Sequence, residues 1–509
     1  MKSVELLWRL PLGLIGGLIA LWIFPTENIW ILAPIMVTVI AASVTGAGFW
    51  SATLVGLVAG MAFYISHIEW ISQYLGPVPL IALSVLQSIY FALGLGGWAY
   101  LYNQLSKKSG FSNPLVLAAI FASIWTSREW LANNFPYGGF PWSRLAMTQS
   151  ESVLANYAYL GGMSLISFAV AFIGLLLFLA LRQIREKNKL PITSAVAIAA
   201  VFLIGFIIPV GNTEKTGEMK IAAIQGNANA GLFANPDRGS ILENHISATE
   251  LIPTNQLDGI DLIVWPENAS DIDPLRNPDI QERIEDYIAK YSAPLVFGTI
   301  TERNGDAFNS SLYWDNQGLR DYYDKKRPVP FAEYVPHREF YRFFAADLID
   351  LISRDYAFGV RDGIYDLEQG SSGTLICFEI AEDDIPRELV DLGSEIILSQ
   401  TNNADFGFSD ETYQQAAIAK LRAIETGRVV VNISTVGKSV IFDADGSVID
   451  DVEWFQPAAM VETVDLRTGK TPAMSFGLAL EFINLAAAAG LLVWSVRTKP
   501  RKRTKKKRR

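Results

Sequence analysis

Cysteine is nearly absent from this chain: Cys377 is the only one in 509 residues. A lone cysteine rules out an internal disulfide framework. Histidine is almost as scarce, and His67, His245 and His337 stand far apart. So thin a supply of ligands predicts no metal site. A histidine base for the thiol is not expected either, because His67 lies near an apolar block, His337 in a loop and His245 in a polar segment. There are no internal repeats. Gly437-Lys438-Ser439 looks like the end of a phosphate-binding loop, but the first glycine of that motif would fall at Asn432. No cofactor is expected.

Charge is present but unevenly spread. Charged residues make up 18% of the chain and hydrophobic ones 50%, too polar for a pure membrane bundle and too apolar for a soluble enzyme. Residues 1–210 form long apolar blocks, residues 219–466 have the make-up of an acidic globular domain, and the chain ends in the basic run Arg501–Arg509. Stretches near 9–25, 28–46, 48–66, 77–102, 113–132, 161–181 and 191–210 read as membrane spans, with one more near 474–495. The first is expected to be retained, since no clear small-residue cleavage site follows it. The expected organisation is a seven-span bundle (1–212), an α/β domain (213–470), an eighth span (471–496) and a basic tail (497–509).

Basic loops set the expected orientation. Lys107 and Lys108, then Arg182, Arg185, Lys187 and Lys189, then the tail all fall on one side of this seven-plus-one layout. Basic loops stay inside, so both termini are expected in the cytoplasm and the α/β domain outside it. Attraction to anionic lipid accounts for the tail, and no nucleic-acid partner is expected. Arg128 and Glu129 are expected to pair or to snorkel, and Glu481 stands out in the last span. The loop Asn133–Trp142 is aromatic and rich in Gly and Pro. Two readings stay open for it: an interfacial aromatic belt, or a lid over a lipid-facing site with Phe140 and Trp142 in contact.

The soluble part alternates strands and helices. Lys220–Gln225, Asp261–Trp265, Pro294–Phe297, Thr374–Cys377 and Glu395–Ser399 are short apolar runs bounded by polar or turn residues. Residues 277–291 and 411–426 have the periodicity of amphipathic helices. An α/β sandwich with a mostly buried sheet follows.

Three separate stretches carry reactive groups. Leu262–Trp265 runs into Glu267, Cys377 closes a later strand, and Lys325 and Lys326 lie between them in Tyr323–Pro336. Taken alone, Cys377 reads as a small buried core residue. A carboxylate in an apolar cleft can nevertheless serve a thiol as base, and an ammonium can stabilise both a thiolate and the oxyanion of an attacked carbonyl. Glu, Lys and Cys on separate loops therefore form a sensible acyl-transfer set.

These residues resemble a known family. Trp265-Pro-Glu267, the Tyr-Asp-Lys…Val-Pro-Phe-x-Glu run and Cys377-Phe-Glu379 look like the Glu-Lys-Cys signature of the nitrilase superfamily. With seven spans before and one after, the chain resembles the bacterial apolipoprotein N-acyltransferases. Ala223–Gly226, Gly139–Trp142 and Lys420–Arg428 add supporting matches. The resemblance implies a nitrilase-like αββα sandwich on the outer face of the bacterial cytoplasmic (inner) membrane. It implies a ping-pong reaction in which Cys377 takes an acyl chain from a phospholipid, typically phosphatidylethanolamine, as a thioester. The amine of a diacylglyceryl-modified cysteine on an apolipoprotein would then receive it. Glu267 would be the base and Lys325, rather than Lys326, the catalytic lysine. Glu333 and Glu379 match the family's supporting carboxylates, and the Phe378 amide falls where it can bind the oxyanion.

Some positions depart from the family pattern. Arg327-Pro328 stands for His-Leu, Ala332 for Gly and Phe378 for Tyr, while Asn402–Gly407 lacks a tryptophan and Ser434–Gly437 lacks Asn-Asn-Gly. They bear on lipid and acceptor selectivity more than on the reacting groups. Two rivals use the same features: a membrane-tethered amidohydrolase, and a degenerate scaffold associated with a membrane glycosyltransferase.

Overall fold

The computed structural model describes residues 3–497 apart from 107, 109, 110, 188, 232, 233 and 236. Lys107 and the basic tail lie outside the described residues. Among the described residues, six helices are long and apolar enough to cross a membrane: Glu5–Ile23, Phe49–His67, Pro77–Leu105, Pro114–Asn134, Val153–Glu186 and Pro472–Arg497. Shorter apolar helices, Leu32–Val44 and Ile192–Ile207, stand where the second and seventh spans are expected. With 13 and 16 residues they reach about 20 and 24 Å, against a hydrocarbon core of about 30 Å. Local chemistry sets both ends. Gly46, at φ +77°, turns the chain after the first, and Ile208 is extended, as a residue before proline prefers.

Small residues let the helices approach closely. A Cβ on Gly17 would lie 2.3 Å from the Ala59 carbonyl oxygen, and one on Gly56 2.9 Å from the Ala92 Cα. Arg128 and Glu129 pair at 3.6 Å inside the bundle and do not snorkel. Arg128 also donates to the Tyr64 hydroxyl at 3.1 Å and lies over the Phe91 and Trp125 rings. Glu129 accepts from the Trp125 indole and the Leu145 amide. A buried charge held in an ion pair is stable where a lone charge is not, although the Arg128 Nε and Nη2 have no hydrogen-bond partner.

The soluble domain is built from two six-stranded sheets. The first contains β1 (Glu214–Gln225), β2 (Leu262–Val264), β3 (Leu295–Arg303), β4 (Asp306–Asp315), β5 (Gly318–Asp324) and, much later, β12 (Ala458–Thr468), in the order β12-β1-β2-β3-β4-β5. The second contains β6 (Ile364–Asp366), β7 (Ser371–Ile376), β8 (Ile396–Thr401), β9 (Val429–Ser434), β10 (Ser439–Phe442) and β11 (Val448–Val452), in the order β11-β10-β9-β8-β7-β6. The central pairs β1-β2-β3 and β7-β8-β9 are parallel and the outer ones antiparallel.

Strand alternation builds the layers. Ile221, Ala223 and Val264 of one sheet meet Ile376, Leu398 and Val431 of the other in a shared core. Their neighbours Ala222, Ile263 and Trp265 point outward, onto the packing face of helices Ser240–Thr249 and Pro278–Tyr291. On the far side, Leu375, Ile397 and Val430 pack under helix Glu411–Thr426, in one continuous core with the membrane helices. All residues of that helix are buried except Tyr413 and Lys420. The expected αββα sandwich is therefore present, with one outer layer pressed against the bundle.

Candidate active site

Strand ends bring Glu267, Lys325 and Cys377 together. Glu267 sits two residues beyond Trp265, whose carbonyl accepts from Gln400 at 2.6 Å. The Glu267 carbonyl accepts from Thr435 at 3.0 Å. A Cβ on Gly298 would lie 2.6 Å from the Glu267 Cα, so only glycine lets this loop cross β3. Lys325 follows β5, and its amide donates to the Asn309 carbonyl at 2.9 Å. Cys377 follows β7 at φ +54° and opens the short 3₁₀ turn Cys377–Ile380. This left-handed backbone costs a non-glycine residue about 1–2 kcal/mol. Asn268 and Phe331, beside the other two loops, share it. Such strain gathers at functional sites when the surroundings impose it.

Glu379 imposes it here. Its fully buried carboxylate accepts from the Ile376 amide at 2.8 Å, the Tyr323 hydroxyl at 2.9 Å and the amides of Lys326 and Arg327 at 2.7 and 3.0 Å. One side chain thus ties the cysteine turn to the lysine loop. Glu333 supports the lysine from the other side: it accepts from Lys325 Nζ at 2.9 Å and the Val329 amide at 2.6 Å. Lys325 Nζ is 3.8 Å from Glu267 Oε1. Asn309, on β4, gives its Nδ2 hydrogens to Glu267 at 2.7 Å and to Glu333 at 2.8 Å.

Burial sets the charge states. It pushes the Glu267 carboxyl up to about 7, with Lys325 opposing that rise and Glu333 adding to it; hydrogen bonds from Asn309 and the Cys377 thiol also hold it down. Burial raises the Cys377 thiol well above its ordinary range, Glu267 adds to this, and Lys325 opposes it. Burial works against the Lys325 charge, yet the carboxylates of Glu333 and Glu267 outweigh it and keep the ammonium protonated. The resting arrangement is a neutral thiol hydrogen-bonded to a poised carboxylate beside a fixed cation.

The membrane half forms the cover. Phe378, next to the thiol, stacks on Trp142 at 5.9 Å and 5° and on Phe140 at 6.1 Å and 26°. Phe140 and Trp142 are buried against the domain, so this end of the loop Asn133–Trp142 covers the cysteine turn, while Phe135 and Tyr137 stay exposed. Trp142 and Trp70 both donate to Gln414 Oε1, at 2.8 and 3.1 Å. A third element leans over the same edge: helix Arg338–Ile349 touches Tyr137 through Tyr341 and leaves Phe340, Phe343 and Phe344 exposed. Arg144, two residues past the loop, binds Asp383, which Arg422 also binds at 2.8 Å.

Asn309, Gln414 and Gln415 were not legible as site residues. Gln415 Nε2 lies 3.8 Å from Cys377 Sγ and its Oε1 accepts from Asn403 at 2.8 Å. The available signal was a Gln-Gln pair on an otherwise buried helix. Burial pushes nearby Glu411 up to about 8. Among the described residues no group of three or more His, Cys, Asp and Glu side chains is arranged to hold a metal.

The sandwich with a thiol, carboxylate and ammonium at its strand ends defines a carbon-nitrogen hydrolase domain, and that family matches residues 220–471. Residues 16–176 match the apolipoprotein N-acyltransferase N-terminal domain. The apolipoprotein N-acyltransferase of Mycolicibacterium smegmatis is 32% identical over 95% of this chain and 84% of that protein. That of Photobacterium profundum is 25% identical over 94% of this chain and 93% of its own length. The chain belongs to the apolipoprotein N-acyltransferase family, as the sequence resemblance implied, and is a multi-pass membrane protein. The relatives are named as acyltransferases, which favours neither the amidohydrolase nor the scaffold. A crystal structure of an amidase from Nesterenkonia sp. is also similar, at 15% identity and TM-score 0.39, over 54% of this chain and 98% of that one.

Proposed function

We propose that this protein transfers an acyl chain from a phospholipid, through a thioester on Cys377, to the N-terminal amine of a diacylglyceryl-cysteine on an apolipoprotein. The observation that carries this reading is the thiol, buried carboxylate and ammonium placed where the sandwich meets the membrane bundle. Glu267 takes the thiol proton as sulfur attacks an acyl ester carbonyl. The Lys325 ammonium and the Phe378 amide hold the oxyanion. Collapse breaks the ester C–O bond, Glu267 returns the proton to the leaving oxygen, and a lysophospholipid departs. The acceptor amine then attacks the thioester, Glu267 takes its proton, and the thiol is regenerated as the amide forms.

Glu333 holds Lys325 in place, and Glu379 holds the cysteine turn against the lysine loop. Lys108, Arg182, Arg185 and Lys189, together with the basic tail, support a cytoplasmic placement of both termini. Residues 213–470 then face outward from the bacterial cytoplasmic membrane, where both lipid substrates reach the site from the bilayer.

The test is intact-mass measurement of the purified protein incubated with phosphatidylethanolamine, beside Cys377→Ala. A hydroxylamine-labile acyl adduct on the wild type alone, discharged by a diacylglyceryl lipopeptide, is expected. An adduct that turns over with water and ignores the lipopeptide would refute the transferase reading.

A further inference from the structure

A cavity of about 490 Å³ lies at the seam between the bundle and the domain, beside Phe378. Its apolar walls include Trp130 from one membrane helix and Leu478 from the last. Its polar lining includes three arginines, Arg144, Arg327 and Arg387. Two of these are ion-paired within the protein, Arg144 with Asp383 and Arg327 with Asp384, although the Arg144 Nε is itself buried without a partner. Arg387 is different. Among the described residues its guanidinium has no hydrogen bond or ion pair, and its Nε is buried without a partner. A half-buried cation left this way is an exception to the rule that buried polar groups are paired.

Its surroundings select the partner. Arg387 Nη2 lies 3.8 Å from where a Cβ on Gly477 would stand, so the guanidinium rests against the last membrane helix at a residue that leaves it room. Glu481, one turn further along that helix, accepts from the Ser164 hydroxyl at 2.5 Å and lies within electrostatic reach of Arg144 and Arg387 without an ion pair to either. Glu382 lines the same cavity with no ion pair of its own among the described residues. A ligand that fits must be anionic beside Arg387, must tolerate or use a carboxyl opposite, and must carry an apolar portion along Trp130 and Leu478. It must also reach Cys377 past Phe378.

We propose that Arg387 seats the phosphate of the acyl donor's head group, so that the glycerol backbone spans from this cavity to the thiol. The proposal rests on the acyl-transfer reading above and deepens it. A guanidinium is suited to phosphate because its donors match two oxygens at once. The diacylglyceryl-cysteine acceptor has no phosphate at the matching place. Arg387 therefore belongs to the first half-reaction alone.

The experiment uses full-length protein in detergent micelles and two acyl donors, phosphatidylethanolamine and a phosphate-free p-nitrophenyl acyl ester. Thioester formation is followed by intact mass. Arg387→Gln is expected to slow acylation at low phospholipid by roughly 10- to 100-fold, the size of a lost charge-assisted pair. It is expected to leave acylation by the p-nitrophenyl ester and discharge to a lipopeptide within about twofold of wild type, which also reports a folded site. Arg387→Lys is expected to recover part of the loss, mainly in the donor concentration needed. Equal losses on both donors, or no loss on phospholipid, would overturn the assignment. Millimolar inorganic phosphate is expected to leave the phospholipid rate unchanged, and competition at that level would mean that a free anion fills the site. A wild type acylated by the p-nitrophenyl ester but never by phospholipid would overturn the donor reading and this seat together, whereas normal wild-type acylation with an unaffected Arg387→Gln would overturn the seat alone.

Discussion

Acylation of Cys377 is expected to follow the ionisation of a buried carboxyl near neutral pH. Glu267 must be unprotonated to accept the thiol proton, and burial pushes its carboxyl up to about 7. The reactive fraction is then about one-tenth at pH 6, one-half at pH 7 and nine-tenths at pH 8. The Cys377 thiol is raised well above its ordinary range, so thiolate formation does not produce this limb. The limb belongs to the cluster of Glu267, Lys325 and Glu333 as a unit. Single-turnover acylation by phosphatidylethanolamine, quenched and read by intact mass from pH 5 to 9, measures it directly. Glu333→Gln removes a negative charge that raises Glu267 and frees Lys325 to act on it more strongly. Both effects move the limb to lower pH, by about one unit, while the maximal rate falls. A wild-type limb near 4.5, or one that stays in place in Glu333→Gln, would refute the assignment of Glu267 as the base.

Glu379→Gln turns an acceptor of four hydrogen bonds into a group with one donor end facing donors, and should lose about 2–4 kcal/mol, seen as a lower thermal midpoint with at least tenfold slower acylation. Gln414→Leu leaves the Trp70 and Trp142 indoles without an acceptor; thermal unfolding should occur earlier, by about 2 kcal/mol, with the pH limb in place. Phe343 and Phe344 are 84% and 69% exposed on their helix, and an apolar patch of that kind marks a contact surface. Replacing both with Asp should reduce acylation from phospholipid vesicles and spare that from a soluble p-nitrophenyl ester.

Much of the fold could be read from the sequence because its signals are local. Apolar length located the six long and two shorter apolar helices found among the described residues, although it overran the two whose ends are fixed by Gly46 and by the Ile208-Pro209 step. Buried strands β2, β7 and β8 announced themselves as short apolar runs. The hairpin β4-β5 did not, since Asn309, Ser310, Ser311 and Asp324 are buried polar residues, of which Asn309 binds Glu267 and Ser310 binds Asp324. Glu267 and Cys377 were legible because each follows a short apolar strand, and Lys325 because the run Tyr323–Pro336 resembles the family's. Asn309, Gln415 and Arg387 were not, because what singles them out is which loop the fold lays beside them.

The bundle and the sandwich act as one machine. Helix Glu411–Thr426 is buried on both faces, by β7–β9 beneath and by membrane helices above. It carries Gln415 toward the thiol and Gln414 toward Trp70 and Trp142. Phe378 is layered under Phe140 and Trp142 from the opposite partner. The cysteine turn is therefore clamped between two elements that owe their positions to the bundle. Displacing either would open the site to water, and water is the acceptor that a transferase holding a thioester must exclude. The membrane half is a wall of the active site as well as its anchor.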